Sequence, residues 1–158
     1  MNMRMLRSGI ILSAVCIIGF IVAIYHYTGV KDGPFTKVSA GLEKMVDKNE
    51  MQDVGGRGLK RYYGLNSADY DGVMMYISQN GMSAEELLLI KVKEQTQLVE
   101  IEKVINKRIK SRRKDFEGYA PMQEKLLKNA QVVVRGSYIL LSVSENALDF
   151  VAEFKKNT

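Results

Sequence analysis

Lys103, Lys107, Arg108, Lys110, Arg112, Arg113 and Lys114 place seven positive charges within twelve residues that contain no carboxylate. On a helix turning by about 100° per residue, Lys103, Lys107, Lys110 and Lys114 fall in one narrow stripe, almost opposite Leu98, Ile105 and Ile109. Such a stripe faces solvent. Its plain reading is a hydrated helix face whose cations also suit the negative end of the helix dipole. Its chemical reading is an electrostatic dock for anionic lipid headgroups, wall polymers or an acidic envelope protein. Near a charged membrane each cation would contribute up to about 1 kcal/mol, fading over a screening length of about 8 Å. The stripe lacks the interleaved aromatic rings of a stacking surface, so no nucleic acid is expected.

Carboxylates are the other candidate source of chemistry. Asp69 and Asp71 flank Tyr70, and Glu85 and Glu86 are adjacent. On a strand, neighbours point to opposite faces, and in a loop they converge only loosely, so caps and solvated loop ends are the ordinary expectation. Tyr62, Tyr63 and Tyr70 are likewise expected in the core or its rim before a sugar-binding platform. Gly55-Gly56-Arg57-Gly58 sets glycines beside a cation. A phosphate loop, however, needs a Gly-Lys pair at fixed spacing between a strand and a helix, so a flexible turn is expected there.

Absences narrow the chemistry further. His26 is the only histidine and Cys16 the only cysteine, and both precede residue 31. The rest of the chain therefore has no Ser-His-acid or Cys-His arrangement, no thiolate and no His/Cys set for zinc. An intramolecular disulfide is impossible. A carboxylate-only or Ser-Lys mechanism survives, and no cofactor or metal is implied.

Between Arg7 and Lys31 lie 23 consecutive residues without Asp, Glu, Lys or Arg. A helix of roughly 20 apolar residues matches a hydrocarbon core about 30 Å thick, whereas the apolar region of a signal peptide is about 7 to 15 residues long. The stretch is read as a single membrane span. Arg4 and Arg7 keep the short N-terminus in the cytoplasm by the positive-inside bias, and Tyr25 and Tyr27 suit the far headgroup level. The contrary reading is a cleaved signal peptide. Lipidation at Cys16 is disfavoured, because Val15 precedes it and an apolar run continues beyond it. The expected organisation is a cytoplasmic N-terminus (1–7), a transmembrane helix (8–30), a stalk (31–36) and an extracytoplasmic domain (37–158).

One domain fits the exported length. Val38, Leu42, Met45 and Val46 recur at helical spacing, with Thr36 available as an N-cap behind Phe35. Asn49 to Gly58 reads as loop, and Leu59, Tyr62 and Tyr63 form a helical turn that Gly64 closes. Tyr70 to Ser78 reads as a covered strand, Asn80-Gly81 as a turn and Leu87 to Val92 as a second strand. A capping box from Ser83 to Glu86 opening a helix is the rival there. Leu98, Ile101, Ile105, Ile109 and Phe116 share one face of a long helix from about Gln95 to Glu117, with Gly118 as its stop. Met122 to Lys128 adds a turn or two. Val132–Val134 and Tyr138–Leu141 flank Gly136-Ser137, a pair suited to a type II′ hairpin. Ser144 is the expected cap of a last helix that points Ala147, Leu148, Val151 and Phe154 inward.

Several segments in order resemble a bacterial family known as domain of unknown function 4358. They are Tyr63-Gly64-Leu65 with Asp69-Tyr70, Gly81-Met82-Ser83-Ala84-Glu85-Glu86 with Ile90-Lys91, Phe116-Glu117-Gly118-Tyr119-Ala120-Pro121, and Gly136-Ser137-Tyr138 with Val143-Ser144. The resemblance spans roughly Lys37 to the C-terminus. It implies an envelope protein of Gram-positive bacteria, many relatives being lipoproteins, with no established activity and no site residue to carry over. The long N-terminal apolar segment departs from the lipoprotein pattern.

The reading that results is an α+β protein, with a transmembrane helix followed by a small antiparallel sheet of two hairpins packed with helices. The long and C-terminal helices are expected to cover that sheet. Its expected location is the cell membrane, single-pass, with the C-terminal domain outside. Its expected role is a non-catalytic binding or assembly module of the envelope. The alternative is a hydrolase or transferase acting on envelope material through carboxylates or a Ser-Lys pair.

Overall fold

The computed structural model describes residues 32–158. The readings of 1–7 as cytoplasmic and of 8–30 as a membrane span lie outside the described residues. Among the described residues, no helix is long and apolar enough to cross a membrane.

Within the described residues five helices and five strands follow one another as α1 (Phe35–Glu43), β1 (Met51–Asp53), α2 (Gly55–Tyr63), β2 (Tyr70–Ser78), β3 (Glu86–Val92), α3 (Gln97–Phe116), α4 (Pro121–Lys128), β4 (Gln131–Arg135), β5 (Tyr138–Val143) and α5 (Ala147–Asn157). A short 3-10 turn, Ser67–Asp69, precedes β2. The strands form one antiparallel sheet in the order β1-β2-β3-β5-β4. The α+β class and both hairpins are as expected. The uninterrupted apolar runs of β3 and β5 have a simple cause, since helices cover both faces of the sheet. Leu59, Ile101, Ile105 and Leu127 of α2, α3 and α4 pack on Met75, Leu88, Ile90, Ile139 and Leu141. On the other face, Val38 and Leu42 of α1 and Phe150 and Phe154 of α5 pack on Met74, Leu87, Leu89 and Leu140. The long helix and the C-terminal helix thus cover opposite faces.

The strand reading of Glu86–Val92 prevails over the capping box. Ser83 Oγ accepts from the Glu85 backbone at 3.2 Å, a turn-type contact, and Leu87–Ile90 pair with β2 and β5 on either side. The β4–β5 turn is two residues long, with positive φ at Gly136 (56°) and none at Ser137, as a type II′ turn requires.

Four local expectations need correction. Asn49 to Gly58 is not a loop, because Met51–Asp53 pairs with Ser78–Tyr76 as an edge strand and α2 begins at Gly55. Gly58 serves close contact, not flexibility: a Cβ on it would lie 2.3 Å from Val54 Cγ2 and 3.1 Å from Met75 Sδ. Thr36 is not a cap, since the Pro34 carbonyl accepts from Lys37 and Val38 and the helix starts two residues earlier, at Phe35. Ser144 does not cap α5, which begins at Ala147 behind Asn146 without a side-chain cap. Ala147, Phe150, Val151 and Phe154 share the buried face at i, i+3, i+4 and i+7, which leaves Leu148 off that stripe and 69% exposed.

Candidate functional site

The cationic run on α3 divides by face. Lys103, Lys107, Lys110 and Lys114 are exposed, as the helical period requires, and none makes an ion pair with a described residue. Arg108 and Arg112 turn the other way. On the same wheel they fall in the sector of Ile101, Ile105 and Phe116, so their guanidinium groups need partners under the helix.

Arg108 finds Glu86 at the start of β3. Its Nε donates to Glu86 Oε1 and Oε2 at 3.0 and 2.9 Å, and Nη2 donates to Oε2 at 2.7 Å. The Tyr63 hydroxyl, from the last residue of α2, donates to Oε1 of the same carboxylate. The guanidinium carbon also lies 4.7 Å from the centre of the Tyr62 ring and 5.1 Å from that of Tyr63. Burial lowers the Arg108 pKa, but the bonds and charge of Glu86 outweigh it and the net shift is upward. Burial, reinforced by the Glu86 charge, pushes Tyr63 well above the ordinary phenol value. At neutral pH the guanidinium is therefore charged and the Tyr63 phenol neutral.

Arg112, one turn further on, donates from Nη2 to the Ser83 carbonyl at 2.8 Å and lies 4.8 Å over the Phe116 ring. Two open concavities flank the arginines. One, of about 350 Å³, lies between α2 and α3 and is lined by Tyr62, Lys107, Arg108, Ser111, Arg112 and Asp115. The other, of about 240 Å³, opens at the β2–β3 turn beside Gln79, Asn80 and Glu85. A third, of about 450 Å³, lies away from this chemistry, between α4 and the start of α5.

The carboxylate pairs do not converge. Glu86 points under α3, whereas Glu85 accepts from Ser83 Oγ at 3.3 Å beside the turn. Asp69 and Asp71 are both exposed, Asp69 before β2 and Asp71 within the strand irregularity between Tyr70 and Gly72. The displaced carboxylates Glu43, Glu124 and Glu153 all shift downward, led by hydrogen bonds from Lys48, Lys128 and Asn157 respectively. The tyrosines form no common platform: Tyr63 is buried, and the Tyr62 ring carries Arg61 and Arg108. Among the described residues no group of three His, Cys, Asp or Glu is placed to hold a metal ion.

A model of the family described as Domain of unknown function (DUF4358) matches residues 44–144. The chain belongs to that family. No curated protein matches it, and no solved structure does. The DUF4358 match is narrower than the resemblance suggested: it takes in the whole sheet with α2, α3 and α4, and leaves α1 and α5 outside. Tyr63 and Glu86, which sit in two of the resembling segments, are the two ends of one buried hydrogen bond. Sequence reasoning weighed both residues separately and grouped Arg108 with the surface cations. The signal that finds Arg108 is its angular position among isoleucines.

Proposed function

We propose that this DUF4358 protein is a non-catalytic binding module of the cell envelope, held at the membrane by residues 8–30 with its α+β domain outside, and that the Lys103–Lys107–Lys110–Lys114 ridge is its docking surface for an anionic partner. One observation carries the docking reading. Four lysines stand exposed along one helix face without a carboxylate partner among the described residues, while Arg108 and Arg112 between them are tied down beneath. A merely solvated helix face usually intersperses both signs.

The surroundings fit binding better than catalysis. The concavities are open, the carboxylate pairs diverge, and the displaced carboxylates are held in their charged form. A general acid needs the opposite displacement. The uncharged 23-residue run and the flanking Arg4 and Arg7 support the tether and its direction.

Site-directed thiol labelling tests the setting. In a Cys16→Ser, Thr158→Cys chain, an impermeant maleimide added to intact cells is expected to label position 158, and the chain is expected to stay with membranes after alkaline washing. Labelling only after lysis would reverse the orientation; release of a shortened chain into the medium would remove the tether.

A further inference from the structure

We propose that the open edge of β4 is a self-association surface, on which β4 of one protomer pairs antiparallel with β4 of a second copy of this chain. The inference is independent of the lysine ridge on α3.

β4 ends the sheet on one side and β1 on the other. An edge strand presents a row of unpaired N–H and C=O groups, which proteins usually guard with lysine, proline, a bulge or brevity. β1 is guarded by brevity, at three residues. β4 runs Gln-Val-Val-Val-Arg in unbroken register with β5, without lysine or proline. Arg135 and Tyr138 flank the two-residue turn as a hydrogen-bonded pair. By alternation Gln131, Val133 and Arg135 bond to β5, while Val132 and Val134 turn their backbone groups outward. Val134 also leaves its side chain 44% exposed.

The pattern of the strand fits a second copy. The antiparallel register that overlaps all of β4 sets Val133 opposite the partner's Val133 and Val132 opposite the partner's Val134. Outward-turned residues then meet only outward-turned residues, and each such pair exchanges both of its backbone bonds. Valine meets valine at every central position, a favourable β-branched pairing.

The charges agree with the same register. Arg135 makes no ion pair with a described residue, and its Nε is buried without a hydrogen-bond partner. At the other end of the strand, Gln131 donates to the Asn129 carbonyl at 2.9 Å, which leaves its Oε1 as an acceptor. Gln131 lines the concavity of about 450 Å³ together with Glu145, which is exposed and also without an ion pair among the described residues. Lys125 borders it from α4, whereas Gln131, Val133 and Arg135 point to the face that α5 covers. Antiparallel pairing carries each Arg135 to the partner's Gln131 and toward the partner's Glu145. The exposed Met122 and Leu148 on the rim of that concavity add apolar surface beside the ladder. A foreign strand could make the backbone bonds, but only a second copy supplies this match at both ends.

The test uses the full chain carrying Cys16→Ser, expressed in cells and treated with a mild oxidant. Val133→Cys is expected to give a disulfide-linked dimer. Val132→Cys or Val134→Cys alone is expected to give little, because like residues out of register stand beyond the roughly 7 Å that a disulfide spans. Co-expressed, those two are expected to cross-link to each other. Val134→Pro removes an outward N–H and no bond to β5, and should weaken dimerisation in sedimentation by roughly tenfold or more. Val134→Lys should do the same through its charge, with secondary structure unchanged by circular dichroism. Equal dimer yields from the three single cysteines would overturn the register, and a dimer indifferent to both changes at Val134 would overturn the β4 edge as its interface. A parent chain that stays monomeric at every concentration overturns self-association, as does cross-linking of Val133→Cys to a different protein in place of a second copy.

Discussion

Tyr63 and Arg108 meet on one carboxylate: the last residue of α2 and the middle of α3 are joined through Glu86 at the edge of the core. The Arg108 side chain is 16% exposed and that of Glu86 6%. At that depth each charge depends on the other.

Breaking the pair from one side is therefore expected to be severe. Glu86→Gln leaves the guanidinium without a counter-charge and should destabilise the domain by about 3 to 5 kcal/mol. Replacing both partners, as in Glu86→Leu with Arg108→Leu, should cost clearly less than the sum of the single changes. Urea unfolding followed by circular dichroism measures all four corners of the cycle, and additive costs would show that the pair is not coupled.

Alkali should loosen the same joint. Burial, reinforced by the Glu86 charge, raises Tyr63, so the folded state keeps a proton that the unfolded chain gives up near the ordinary value of 10.0. Stability is then fully present below pH 10 and falls as pH rises beyond it. Tyr138, pushed up to about 12 chiefly by burial, adds to the same slope. Tyr63→Phe is expected to lower stability at pH 7 and to flatten the decline above pH 10. An unchanged alkaline slope would mean that the Tyr63 phenol is not held neutral by the fold.

The two halves of the cationic run should separate by stability alone. Lys107→Glu and Lys110→Glu alter exposed side chains and should stay within about 0.5 kcal/mol of the parent. Arg112→Glu removes the bond to the Ser83 carbonyl and sets a carboxylate over Phe116, with an expected cost of about 2 kcal/mol or more. Thermal unfolding distinguishes them, and equal effects would contradict the division of the helix into an outer ridge and an inner pair.

That division marks how far the sequence could be read. Local pattern was enough for β2, β3, the β4–β5 hairpin and the long helix, because alternation, a Gly-Ser turn and an apolar stripe each act within a dozen residues. It was enough for the lysine ridge for the same reason. The edge strand β1 escaped because three residues carry no period, and its pairing with β2 is a matter of backbone bonds. The second helical layer was half visible: apolar residues on both faces of Tyr70–Ser78 announced a covered strand, but not that α1 and α5 would supply the cover. Glu86 and Arg108 stand 22 residues apart, and only the folded sheet brings them together.

The junction with the preceding chain offers the sharpest steric test. Gly136 has a φ of 56°, and a Cβ built on it would lie 1.7 Å from Asp32 Oδ1. Gly136→Ala should therefore strain the turn and also expel the Asp32 carboxylate from the Ser137 N–H, two costs of about 1 kcal/mol or more each. Asp32→Ala loses only the hydrogen bond. In an Asp32→Ala background the steric part of the alanine penalty disappears, so Gly136→Ala should cost only its backbone strain there. The double variant is accordingly expected to be less destabilised than the sum of the singles by about 1 kcal/mol. Strict additivity would show that the Asp32 side chain does not occupy the space above the β4–β5 turn.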